Sequence, residues 1–208
     1  GIFPENRDLT DKNGEEAVKY LIDNVDFAVK VGAPYIIVVP SPVGRAEKPE
    51  NIPFDELWEN AVTNIRKAAD YAAEHNIRFA VEAVNRYETY FANTMGKAYK
   101  LVKDIDHPAV GIMADVFHMS LEENSIPNTL MNVADELMHV HIADNTREAA
   151  GLGSVDFKEI MYTLKNIGYK GPLTMEFMPR LSNPYASGDL DTKSDLMDMY
   201  ADQAISYL

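Results

Sequence analysis

Glu82, Asp115, His141 and Glu176 follow one another at intervals of 33, 26 and 35 residues, each near the end of a short apolar run. Three carboxylates and an imidazole gathered in one small volume repel one another and lose hydration unless a cation sits among them. An oxygen-rich set with one nitrogen suits a hard or borderline divalent ion: Mn²⁺ first, with Mg²⁺, Co²⁺ or Zn²⁺ as alternatives. The competing reading is four separately satisfied polar residues. The repeated interval weighs against it, because a strand, its crossover helix and the next turn take roughly thirty residues. Four such residues on consecutive parallel strands would meet at one rim.

The elements that must position them are legible. Apolar runs lie at 34–40, 77–85, 110–118, 138–144 and 172–179. Helical periodicity lies between and around them, at 14–31, 54–75, 94–105, 126–136, 156–168 and 194–207. In 54–75, Leu57, Ala61, Ile65, Ala68 and Ala72 share a face, and Asp55 is placed to cap its start. Gly32 and Gly168 supply helix stops, and Pro127 suits an opening turn. Strand and helix alternating in this way means βαβ units and a parallel sheet.

Face patterns separate an open sheet from a barrel. Val140 and Ile142 oppose His139, His141 and Ala143; Leu173, Met175 and Phe177 oppose Thr174, Glu176 and Met178. A doubly wound sheet has helices on both sides and would be apolar on both faces. One large-apolar face and one small or polar face fit a (β/α)8 TIM-type barrel. Such a barrel takes about 250 residues, whereas five βα units are legible in 208. About three N-terminal strands are therefore expected to be missing from a single partial-barrel domain. The open edge would be covered by further copies, so a homo-oligomer is expected.

Composition narrows the partners. There are 33 acidic residues against 19 basic ones, a formal charge of −14. Such a surface repels phosphate backbones and anionic lipid, so neither nucleic acid nor membrane is expected as a partner. Cysteine is absent, which removes thiol chemistry and fits a cytoplasmic protein.

The stretches "VEAVNRYE" (81–88), "DVFHMSLEE" (115–123), "HVHIADNTREAAGLG" (139–153) and "TMEFMPR" (174–180) resemble the metal-dependent ketose 3-epimerases of the tagatose/psicose type. These belong to the xylose-isomerase-like barrel superfamily. The resemblance implies a divalent metal held by Glu82, Asp115, His141 and Glu176, with Glu82 and Glu176 also acting as acid and base. It implies a sugar substrate whose hydroxyls are held by Glu88, His118 and Arg147. The implied reaction removes and returns a proton beside a ketose carbonyl through a metal-bound enediolate. An aldose–ketose isomerase or a sugar-acid dehydratase could use the same residues. A reading of another class is a truncated, non-catalytic metal-binding or assembly fragment.

Two departures bear on the substrate. Many of these epimerases carry Gly-Glu-x-Asn-Arg after the H-x-H, where this chain has Ala143-Asp144-Asn145-Thr146-Arg147. The segment "SPVGRAEKP" after the first strand also lacks the tryptophan found there in some members. His139 lies one step deeper than His141 on the same face, where it orients a neighbouring ligand or packs in the core. Gly151 and Gly153 allow a tight loop but form no phosphate cradle, since no G-x-x-x-x-G-K-[ST] pattern surrounds them.

Overall fold

The computed structural model describes residues 7–180 and 193–208. Five parallel strands form one sheet in chain order: β1 (Tyr35–Val38), β2 (Arg78–Glu82), β3 (Val110–Asp115), β4 (Leu137–Ile142) and β5 (Leu173–Met175). Among the described residues seven helices accompany them: α1 (Glu15–Val31), α2 (Phe54–Glu74), α3 (Met95–Ile105), α4 (Val116–Glu122), α5 (Ile126–Asn132), α6 (Phe157–Asn166) and α7 (Lys193–Tyr207). Two compact units are distinguished, residues 1–113 and 114–208.

In the first unit, β1 pairs with β2 from Tyr35↔Arg78 to Val38↔Val81, and β2 pairs with β3 from Phe79↔Val110 to Glu82↔Met113. Helix α2 packs beside α1, α3 and β2. It buries Leu57, Ala61, Ile65, Ala68 and Ala72 at the helical spacing read from the sequence. Leu57 and Ile65 are each worth roughly 1.5–3 kcal/mol of burial. Asn64 is buried on the same helix and donates to the Leu9 and Asp11 carbonyls, tying the chain before α1 to α2. Gly32 ends α1 with φ of 73°, a left-handed stop that a side chain would strain.

Asp55 does not cap α2. The helix already starts at Phe54, with Pro53 at the capping position and no side-chain cap. Asp55 instead lies in the first turn, where a negative charge meets the positive end of the helix dipole. Thr94 does cap α3, accepting from the Lys97 N–H.

In the second unit, β4 pairs with β5 from Val140↔Leu173 to Ile142↔Met175. The run 110–118 is not one strand: β3 stops at Asp115 and α4 begins at Val116. The cause is the Asp115 side chain, which accepts from the Phe117 N–H and turns the chain into a helix. Glu122 consequently belongs to α4 and Glu123 caps its end. Helix α5 covers only 126–132 of the expected 126–136. No helix among the described residues is long and apolar enough to cross a membrane.

Candidate metal centre

The second unit gathers five of the predicted residues. Asp115 ends β3, His118 follows on α4, His141 sits one residue before the end of β4, and Glu176 comes directly after β5. Arg147 stands in the loop leaving β4. Sheet register explains the closest approach. His141 pairs with Thr174, and Glu176 lies two residues further along the same alternating face, its N–H donating to the Ile142 carbonyl. His141 Nδ1 is 3.1 Å from Glu176 Oε2 and 3.8 Å from Asp115 Oδ2. His118 Nε2 lies 3.7 Å from that same Asp115 oxygen.

Asp115 divides its two oxygens between tasks. Oδ1 caps α4, whereas Oδ2 is buried with no hydrogen-bond partner among the described residues. His141 Nδ1 is buried and lacks a partner of hydrogen-bonding geometry in the same way. Two orphaned buried atoms of opposite preference, beside the second carboxylate, Glu176, leave a cost that a shared cation removes. Asp115, His141 and Glu176 each offer a ligand atom within 4.8 Å of the others, so this cluster of two buried groups and one half-buried carboxylate can hold a metal ion. An oxygen-rich set with one imidazole nitrogen fits a divalent ion of the expected kind.

Burial and neighbouring charge pull in opposite directions on Asp115 and His141. Burial alone would raise the Asp115 carboxyl, but His141, His118 and Arg147 hold it below the ordinary carboxylate range. Burial alone would lower His141, yet Asp115 and Glu176 outweigh it and push the imidazole up to about 10. Arg147 Nη2 donates to Glu176 Oε2 at 3.0 Å, and its guanidinium lies 4.4 Å from the centroid of the Phe117 ring. Its Nη1 is 3.4 Å from His118 Nε2.

His139 is buried deeper on β4, its ring edge-on to His141 at 4.8 Å between centroids. Burial first, and then the neighbouring His141 charge, push it down from 6.5 to about 4. A folded value below the unfolded one means that the neutral ring stabilises the fold above pH 6.5. That contribution is lost as the pH falls toward about 4. His139→Gln is therefore expected to flatten the pH dependence of stability across this window. Urea unfolding at stepped pH reads it, and an unchanged slope would contradict the assignment.

The first unit holds the other two predicted residues. Glu82 closes β2 and is buried; Glu88 is half-buried in the loop that follows, its carboxylate accepting from Asn85 Nδ2. The Gly44 and Arg45 N–H groups donate to the Glu88 carbonyl, joining the loops after β1 and β2.

Sequence reading missed Asp144. Its fully buried carboxylate accepts from the N–H groups of Asn145, Gly151 and Val155. Those donors are spread over eleven residues, so no local motif announces them. Glu148 was missed too: it accepts from the Tyr200 hydroxyl on α7.

Comparison with known proteins agrees with this architecture. A family model described as the xylose isomerase-like TIM barrel matches residues 3–194. A D-psicose 3-epimerase of Ruminiclostridium cellulolyticum is 32% identical over 157 residues, which are 72% of this chain and 54% of that protein. An L-ribulose 3-epimerase of a Methylomonas species is 36% identical over 130 residues, 60% of this chain and 46% of that protein. The chain thus spans about half the length of the curated relatives it matches. A crystal structure of D-psicose 3-epimerase with D-tagatose from Clostridium cellulolyticum superposes with a TM-score of 0.87 at 25% identity. It covers 99% of this chain and 75% of the other. The five strands are those of the barrel the sequence pattern pointed to, and the chain belongs to the xylose isomerase-like TIM barrel family.

Proposed function

We propose that the protein is a divalent-metal-dependent sugar epimerase that inverts a ketose carbon next to the carbonyl. The observation that carries this reading is the meeting of buried Asp115 and His141 with half-buried Glu176, two of their atoms being left without hydrogen-bond partners. Relatives named as ketose-type 3-epimerases support the reaction class.

Glu82 is proposed as the fourth ligand. Strand register supports it: Glu82 pairs with Met113, and Asp115 lies two residues beyond Met113 on the same alternating face of β3. Mn²⁺ is the proposed metal. When bound, a divalent ion supplies the positive charge that acidifies a C–H beside a carbonyl and stabilises the negative charge left behind.

The chain's own residues do the rest. Inversion requires one group to take a proton from one face of the carbon and another to return one on the opposite face. Glu176 and Glu82 are the proposed pair. Arg147 presents a planar fork beside Glu176, suited to holding a sugar oxygen next to the base. His118, within reach of Arg147, and Glu88 are the further proposed hydroxyl partners.

Incubating the Mn²⁺-loaded protein with a panel of ketoses in deuterium oxide tests the proposal. The expected product is the carbon-3 epimer carrying one deuteron at that carbon. Aldose formation, with a proton lost from carbon 1 and a deuteron delivered to carbon 2, would show an isomerase instead. No exchange at any carbon would refute the proposed activity.

A further inference from the structure

We propose that Asp144, buried and outside the ligand set, is a positioning residue that holds Arg147 against Glu176; the inference rests on the proposed function for its kinetic meaning. Residues 144–155 wrap around a single carboxylate. Asp144 Oδ1 accepts from Asn145 at 2.9 Å and Val155 at 3.1 Å, and Oδ2 accepts from Gly151 at 3.0 Å. Its main chain is engaged as well, accepting from the Arg147 N–H at 2.8 Å and donating to the Glu148 carbonyl at 2.9 Å.

A fully buried carboxylate is costly unless charge-assisted hydrogen bonds meet it, and here three main-chain donors do. Their convergence fixes the path of the loop. Arg147 sits within it at φ of 62°, a left-handed conformation that an arginine adopts only when its surroundings impose it. The turn closed on Asp144 is one such constraint, and the bond from Met178 N–H to the Arg147 carbonyl is the other. Close approach confirms how tightly the loop is drawn. A Cβ on Gly153 would collide with the Asp144 carboxylate and the Asn145 carboxamide, and one on Gly151 would lie 2.7 Å from the Tyr207 ring.

Asp144 therefore acts through Arg147, whose Nη2 reaches Glu176. Asp144→Asn keeps the volume but turns one acceptor into a donor facing N–H groups. It should lower hydrogen-exchange protection of the Gly151 or Val155 amide by about tenfold and shift the Arg147 Nε–Hε resonance. Mn²⁺ affinity, measured by calorimetry, should stay within about twofold, since the ligand atoms are untouched. The ketose kcat/KM should fall by about tenfold in wild type yet hardly change in an Arg147→Ala background. Equal losses in both backgrounds would reduce Asp144 to a structural residue and overturn the proposal. Unchanged amide protection with an unmoved Arg147 resonance would overturn it as well. Should the wild type turn over no ketose, the proposed activity fails while the exchange and resonance measurements still decide the role of Asp144.

Discussion

Glu176→Gln is expected to lower kcat for ketose epimerisation by about 10²–10⁴-fold, the range supplied by a positioned acid–base group. The amide keeps the shape and one oxygen of the carboxylate but cannot accept the proton. It also loses the charge facing His141 at 3.1 Å and Arg147 at 3.0 Å, so metal affinity will weaken in parallel. The kinetics should therefore be taken across a Mn²⁺ titration and compared at saturation. A Glu176→Gln protein with full kcat at saturating metal would remove the two-glutamate scheme. Glu82→Gln should behave alike, because the proposed two-glutamate inversion needs both groups.

Asp115→Asn is expected to weaken divalent-metal binding by more than about 10²-fold, the upper end of what losing an outer-shell partner costs. The substitution is selective. An Asn side-chain oxygen can still accept from the Phe117 N–H and keep the start of α4. What it removes is the negative charge on the buried Oδ2 side, which faces His141 and His118. Calorimetric titration with Mn²⁺ measures the loss, and circular dichroism should show an unchanged helix content. A chelator should likewise abolish turnover in the unmodified protein, with Mn²⁺ restoring it. Activity that survives exhaustive chelation would rule out the metal-dependent reading.

Much of this arrangement was readable in the residues, for physical reasons. Strands with one large-apolar face and one polar face follow from a two-residue period, so the face His141 shares with His139 came with the pattern around Val140 and Ile142. Long helices such as α2 announce themselves because Leu57, Ala61, Ile65, Ala68 and Ala72 repeat at the helical period. Short helices have no such redundancy. Helix α4 covers Val116–Glu122, and its opening residues extend the apolar run of β3 without any breaker. The only sign of the change was Asp115 itself, read as a ligand and not as a cap.

Asp55 shows the converse error, an acidic residue near a helix start taken for the cap when Phe54 is already helical. Asp144 was out of reach in a different way. Its role depends on main-chain donors at 145, 151 and 155, and a folded loop brings them together without any residue type marking them.

The double duty of Asp115 has one more consequence. Because Oδ1 is fastened to the first turn of α4, the side chain has already given up its torsional freedom when the chain folds. In its proposed role as a ligand, Asp115 would need little additional ordering to capture an ion, and release would not require the helix to unwind. The metal should be able to leave and return many times while the polypeptide around it stays in place.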